Sequence, residues 1–344
     1  GVPTCFLPET WSTMIDMGWP GIIIPEQYGG SGLGYLTFGL VLEEIGRHLT
    51  ASPLFASGLV GASTLLLGGS DAQKMSWLPR VADGTAILTL ALEEGPRHAP
   101  YVVALEARRR GKGFVLNGTK SFVHEGMAAT AMVVAARTKG WVGERAGITL
   151  FLVPADHAGV SLQQLQTVDS RGYAHVIFEN VSVDDAAILG AVDEGGAILD
   201  ATLDRACAGI GAEMMGSAAQ AFDMTLTYLK TRVQFGQVIG AFQALGHRAA
   251  SLFSEMELAR SCVEAALQAI DDDADDVAEL CSLSKCRAGE FLHHMSNELI
   301  QIHGGIGMTD DFDAGFYLKR ARALEFAFGN QAYHRNRYAT LLGF

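Results

Sequence analysis

The chain has little cysteine. Its five residues, Cys5, Cys207, Cys262, Cys281 and Cys286, are scattered, odd in number and contain no CxxC pair. That pattern argues against a disulfide framework or a zinc site and suits a reducing cytoplasm. Positive charge is also scarce: 25 Lys and Arg stand against 38 Asp and Glu, a net charge of -13. A nucleic-acid-binding surface is therefore not expected. No uninterrupted apolar run reaches membrane-spanning length, so no membrane insertion is expected. The chain starts at Gly1 without a basic leader segment and without a leading Met, so no signal peptide is visible and residues upstream are expected to be missing. There is no internal repeat and no low-complexity tract.

What is present is an ordinary globular composition, 49% hydrophobic and 18% charged over 344 residues, enough for two or three lobes with their own cores. The pattern changes twice along the chain. Residues 1–86 read as helices broken by glycine loops. Leu36, Leu40, Val41 and Ile45 form a helical stripe within Tyr35–Leu49, Asp71 is placed to cap a further short helix, and Pro25–Gly34 reads as a turn-rich loop. Residues 87–193 carry short apolar or β-branched runs, Val102–Ala107, Gly113–Leu116, Ala131–Ala136, Gly147–Val153 and Ala174–Phe178, separated by polar or glycine turns, which predicts an antiparallel β domain. Residues 194–344 return to long helices, Ala197–Tyr228, Ala241–Ile270, Ala274–His303 and Asp313–Leu342, which suggest a four-helix bundle with Asp271–Asp276 as an exposed turn. The fold expected is α+β: a helical N-terminal domain, a middle β domain and a C-terminal helical bundle.

Several local motifs are more specific than this order. Tyr228–Ala250 reads YLKTRVQFGQVIGAFQALGHRAA, and Gln301–Thr309 reads QIHGGIGMT. Upstream stand GWPGIIIPEQYGGSG at Gly18–Gly32, LEEIGR at Leu42–Arg47, DGTAILTLALEE at Asp83–Glu94 and LNGTKSFVHEG at Leu116–Gly126. Six such segments in this order and spacing resemble the acyl-CoA dehydrogenase family across nearly the whole chain. A lone GGxG would be weak by comparison.

The resemblance implies an FAD-dependent oxidoreductase that oxidises an acyl-CoA thioester at its α,β CH–CH bond to a trans-2-enoyl-CoA. It also implies assembly as a homotetramer or as a heterotetramer with a homologous subunit, and an electron-transfer flavoprotein as acceptor. Arg232 offers a bidentate fork suited to a pyrophosphate. Phe235 can pack on a ring, with Gly236 turning the backbone after it. Gln243 and Gln301 supply amide groups, and Gly304 and Gly305 remove side chains so that a phosphate or adenosine can approach the backbone. In the family these groups reach the FAD of a neighbouring subunit. Taken singly, Arg232 could equally be a helix-end charge and Gly304–Gly305 a helix C-cap.

The pattern also breaks. The reaction needs a carboxylate to remove the α proton while a hydride passes to the flavin. Most members place a Glu just before a Gly-Thr pair near the end of the chain; here the position before Gly329 is Phe328, and Asn330, after Gly329, is a candidate cofactor-binding residue by the same resemblance. Other members supply the carboxylate from the first bundle helix, one residue before an arginine. Here that pair is Asp204 and Arg205, which makes Asp204 the candidate base and Arg205 the candidate substrate-positioning residue; the plainer alternative is a surface Asp near a helix N-terminus.

On the flavin-ring side, the family's T-E-P-x-x-G-S is replaced by LEEGPRHAP (Leu92–Pro100), with Glu93 where a hydroxyl is usual. The family's Trp-(I/V)-(T/S) contact reads Phe122–Val123–His124, in which Phe122 can still stack and His124 can still donate. A carboxylate near the ring would disfavour its anionic reduced form.

The motifs that reach a neighbour's FAD are thus intact, while those that hold the chain's own ring and base are altered. That asymmetry fits a non-catalytic subunit completing a partner's FAD site, as in heteromeric members acting on steroid side chains, pimeloyl groups or other bulky and cyclic acids. It leaves open a complete enzyme using Asp204, or an inactive acyl-CoA- or flavin-binding protein.

Ala208, Gly209, Gly211, Met214 and Met215 could leave room for a bulky acyl group, although small residues on a helix more often mark close packing. His293 and His294, adjacent on a helix, do not face the same way, so no metal site is expected. His247 and His303 are read as packing or flavin-proximal residues, and Cys281 and Cys286 as buried rather than redox active.

Overall fold

A computed structural model describes residues 5–344. The chain divides into two compact units. One comprises Gly1–Phe38 with Ala51–Ala206, the other Gly39–Thr50 with Cys207–Phe344.

The first unit begins with α1 (Pro8–Asp16), the start of α2 (Gly34–Arg47), α3 (Ala62–Gly68) and α4 (Asp71–Ala82). A π-helical run, Leu54–Gly61, feeds α3; it is apolar all round and nearly all buried. Ser70, not Asp71, caps α4. Its hydroxyl accepts from Gln73 N while the Gln73 side chain accepts from Ser70 N, a reciprocal capping box in which Asp71 is the first helical residue.

The sheet follows: β1 (Leu88–Ala91), β2 (Glu106–Arg110), β3 (Gly113–Val123), β4 (Ala131–Arg137), β5 (Ile148–Pro154), β6 (Val160–Gln164), β7 (Ala174–Asp184) and β8 (Ile188–Leu189). The strand order is β6-β7-β3-β2-β4-β5-β8, with β1 against β4. Most pairings are antiparallel, but β1 and β2 run parallel to β4, so the sheet is mixed rather than wholly antiparallel. β4 is buried along its whole length and carries the central apolar ladder. Leu105, Phe114, Leu116, Met132, Val134, Phe151 and Phe178 form the core. Gly118, at a register shift in β3, has φ +143°, and a Cβ there would stand 2.9 Å from the Leu105 backbone. Glycine is therefore required at this bulge.

The second unit is helical: the remainder of α2 and of α5 (Gly195–Thr231), then α6 (Gln243–Asp271), α7 (Val277–His303), α8 (Ala314–Phe326) and α9 (Gln331–Leu341). A small hairpin, β9 (Val233–Gln234) and β10 (Gln237–Val238), joins α5 to α6. The sequence pattern predicts one helix over Asp313–Leu342; the structure has two, broken where Phe328 and Gly329 take φ of +54° and +100°. A buried ion pair, Arg320 to Glu213 at 2.6 Å, ties α8 to α5. Gly211 packs so closely that a Cβ would meet Ser284 Oγ at 2.8 Å, so there the small residue serves helix contact. Among the described residues no helix is long and apolar enough to cross a membrane.

The first unit also depends on one buried cation. Lys120, on β3, has no exposed surface; its Nζ donates to Leu92 O at 2.9 Å and to Glu94 Oε1 at 2.6 Å. The Glu94 carboxylate in turn accepts from the backbone N–H of Ala104 (2.7 Å) and Leu105 (2.9 Å). Burial pushes the Lys120 pKa down, and the Glu94 charge opposes that shift. Glu94→Ala should cost about 3–5 kcal/mol of unfolding free energy, because it strands a charge and two N–H groups. Denaturant unfolding checks this, and a loss below 1 kcal/mol would show that the pair is dispensable.

Candidate active site

The candidate residues fall into two groups, each within its own unit. In the first unit, Asp204 and Arg205 lie in the third turn of α5. Asp204 is 5% exposed, which removes the reading of a surface carboxylate at a helix start. Adjacent helical residues point about 100° apart, so Arg205 leaves in another direction. It donates to Ala201 O at 3.0 Å, and its guanidinium lies 5.4 Å from the centre of the Tyr35 ring. The Tyr35 hydroxyl is 2.9 Å from Ser63 Oγ, so the aromatic face beneath Arg205 is anchored. Nothing in sequence spacing links Tyr35 to Arg205.

The flavin-side segments come together across the β1 loop and the end of β3. Glu93 O accepts from Ser121 N at 2.7 Å, and Thr89 Oγ1 donates to His124 O at 2.6 Å. Phe122 is 44% exposed at φ +52°, a left-handed conformation costly for a bulky residue. The His124 ring sits between Phe55 and Tyr173, with centroids 5.9 and 4.6 Å away. Glu93 pairs with Nδ1 of His98.

In the second unit, Arg232, Phe235 and Gln243 cluster around the β9–β10 hairpin, and Gln301, Gly304 and Gly305 at the end of α7. All six are exposed. Phe235 is 90% exposed and held at φ +52°. Gly304 has φ +63°, and a Cβ at either Gly304 or Gly305 would meet nothing within 4 Å, so both glycines border open space. His303 is buried between Tyr228 and Phe312, whose rings lie 4.3 and 4.5 Å away, and its Nδ1 is 2.7 Å from Leu299 O. It is a packing residue whose pKa burial drives down. His247 is exposed. His293 reaches Glu325, whereas His294 reaches Glu255. Cys281 and Cys286 are buried.

Phe328 occupies the turn between α8 and α9, and sequence reading alone missed what holds that turn. Lys285, fully buried on α7, donates to Leu324 O (3.2 Å), Glu325 O (3.2 Å) and Gly329 O (2.8 Å). His334 Nε2 donates to Phe328 O at 2.8 Å, and Asn330 Oδ1 caps α9 by accepting from Tyr333 N at 2.9 Å. Asn330 thus has a structural duty. The only sequence signal for Lys285 is a lysine set among small and apolar helix residues.

These comparatively open groups suit FAD. Arg232 offers a solvent-facing guanidinium, Gly304 and Gly305 a bare backbone, and Phe122 an exposed ring face.

Comparison with known proteins agrees with this. The chain matches the acyl-CoA dehydrogenase N-terminal domain over residues 4–85, the middle domain over 92–181 and the C-terminal domain over 193–342. It therefore belongs to the acyl-CoA dehydrogenase family, FAD-dependent oxidoreductases acting on CH–CH bonds. It is 33% identical over 345 residues to the mitochondrial isovaleryl-CoA dehydrogenase of Pongo abelii, covering 96% of this chain and 79% of that one. Among solved structures it is similar to a steroid acyl-CoA dehydrogenase designated Tcur3481–Tcur3483, with TM-score 0.88, 31% identity and coverage of 98% and 89%. It is also similar to a chain of the electron transferring flavoprotein structure from Acidaminococcus fermentans, with TM-score 0.91, 27% identity and coverage of 98% and 90%.

Burial lowers the Lys285 pKa to about 8. In the unfolded chain a lysine titrates at about 10.4. Between these values the unfolded state binds more protons, so this residue makes stability rise as pH rises. Relative to Lys285→Met, the wild type should gain about 2–3 kcal/mol between the two pKa values. Urea unfolding of both proteins across that interval measures it; a constant difference would contradict the assignment.

Proposed function

We propose that this chain serves FAD-dependent α,β-dehydrogenation of an acyl-CoA thioester to its 2-enoyl-CoA, with Asp204 as the general base. The carrying observation is the burial of Asp204, the carboxylate at a position the family uses, while Phe328 occupies the other. A carboxylate removed from water is a stronger base toward a carbon acid than one in solvent. Bound FAD supplies the two-electron acceptor. This chain's residues do the rest: Arg205, steadied over Tyr35, orients the substrate; Phe122 and His124 border the flavin ring; and Arg232, Phe235, Gln243, Gln301, Gly304 and Gly305 hold the nucleotide portion. The three family-matched regions act as three domains, at residues 1–86, 87–193 and 194–344.

The exposure of the nucleotide-side residues supports assembly. Val233, Phe235, Ile306 and Met308 are large apolar side chains left in solvent beside them, a surface that calls for a cover. We assign that cover to a second subunit, in a tetramer of like or homologous chains. The electron acceptor is an electron-transfer flavoprotein, and the setting is cytoplasmic catabolism of lipid or steroid acyl groups. A second reading, in which this chain completes a partner's FAD site without turnover, is favoured by the loss of the carboxylate at Phe328. The similarity to a two-component steroid enzyme supports the same reading.

Paired variants separate the two. If the chain is a complete enzyme, Asp204→Asn should keep fold and flavin but lose flavin reduction by about 10²–10⁴-fold. In a completing subunit, Asp204→Asn leaves the assembly's activity intact. In both readings Arg232→Ala weakens FAD binding by about 1.5–3 kcal/mol. Stopped-flow reduction and flavin titration of the assembly read both effects, and wild-type behaviour of both variants would remove both site assignments. Size-exclusion mass is expected above that of the monomer; a monomer with bound FAD would contradict the shared site.

A further inference from the structure

Glu93 is a carboxylate where the family places a hydroxyl, and the structure gives it a partner. The β1 loop is fixed on β3 by the Lys120–Glu94 pair and by Ser121 N–H donating to Glu93 O. On that frame Glu93 Oε1 meets Nδ1 of His98 in a close contact. The His98 side chain is 5% exposed and that of Glu93 20%. The imidazole therefore stands behind and the carboxylate in front. A carboxylate only accepts, so Nδ1 carries the proton of this bond, and one Glu93 oxygen remains to accept from elsewhere. The next residue along β3 from Ser121 is Phe122, whose ring is exposed.

We propose that Glu93, oriented by His98, keeps the two-electron-reduced flavin of this protein in its neutral form, so that reduction takes up two protons where a site without the carboxylate takes up one. This rests on the placement of the flavin ring at Glu93 and Phe122. The balance is FAD + 2e⁻ + 2H⁺ → FADH₂, in place of FAD + 2e⁻ + H⁺ → FADH⁻. The electrons and one hydrogen leave the substrate together, and the second proton comes from solvent. The cause is electrostatic: a fixed carboxylate opposes a second negative charge on the ring and accepts from a ring N–H. The two buried cations at hand, Lys120 and Arg137, direct their hydrogen bonds to other groups. Lys120 is bonded to Glu94, whose carboxylate also accepts two backbone N–H bonds. Arg137 is bonded to the carbonyls of Tyr101, Val103, Glu144 and Ala146. Arg97 is exposed, His175 contacts Ser121, and the His124 ring packs against Phe55 and Tyr173. His98 is a positioning residue: it fixes where the negative oxygen points.

The test is the flavin midpoint potential against pH, together with the near-ultraviolet spectrum of the fully reduced flavin, in the FAD-loaded assembly. Wild type should show the slope of two protons per two electrons across neutral pH and the spectrum of the neutral reduced ring. Glu93→Gln should halve the slope and give the anionic spectrum. His98→Leu should move both toward the Glu93→Gln values, whereas His98→Gln, whose amide can donate to the carboxylate, should restore them. A one-proton slope in wild type, or a Glu93→Gln protein with the wild-type slope and spectrum, overturns the inference while leaving FAD binding in place. A wild-type assembly that holds no FAD overturns the ring placement itself, and the inference with it.

Discussion

Burying a lysine is costly unless every proton on its ammonium finds an acceptor. Lys120 places two of its three ammonium protons on Leu92 O and the Glu94 carboxylate, whose charge offsets its own. Because Glu94 also ties down Ala104 and Leu105, one cation sets the path of the whole loop from β1 to β2. Glu93, one residue away, inherits its position from that arrangement, and so does the contact between Glu93 O and Ser121 that brings the loop beside Phe122. The second unit solves a similar problem with Lys285, whose three carbonyl acceptors hold open the break between α8 and α9. In each unit a buried ammonium shapes a candidate stretch of the active site from inside the fold.

Much of this was legible in the sequence. The long bundle helices follow from apolar periodicity, and α5 and α7 match their expected spans to within a few residues. The strands around Ala131–Ala136 and Gly147–Val153 stand out because central strands are apolar without interruption. β1 was missed because LTLA is four residues long and continues an apolar stretch, which short-range pattern cannot assign to a strand. The parallel pairings of β1 and β2 with β4 are long-range choices that no local signal encodes. The single helix expected over Asp313–Leu342 failed at Phe328. A phenylalanine gives no local warning of a left-handed conformation, and the cause, Lys285, lies more than forty residues away in the chain.

For the candidate site, motif reading names residues but not their surroundings. Asp204 looked equally like a surface charge until its burial was seen. Asn330, chosen by its place beside a glycine, proves to cap α9. Glu93 read as an isolated disruption of the flavin side; with His98 behind it, it becomes half of a pair. The partners that give these residues their setting, His98 for Glu93 and Tyr35 for Arg205, come from five residues on and from a different helix.

The proposed role requires an FAD site, held or completed by this chain, that accepts electrons from an acyl-CoA. The most direct measurement is anaerobic titration of the purified assembly, prepared alone and with a homologous subunit, with a saturated acyl-CoA while the visible absorbance of oxidised flavin is followed. Stoichiometric flavin that bleaches on adding the thioester is the predicted result. An assembly that carries no flavin in either preparation, or flavin that no acyl-CoA thioester reduces, would contradict it.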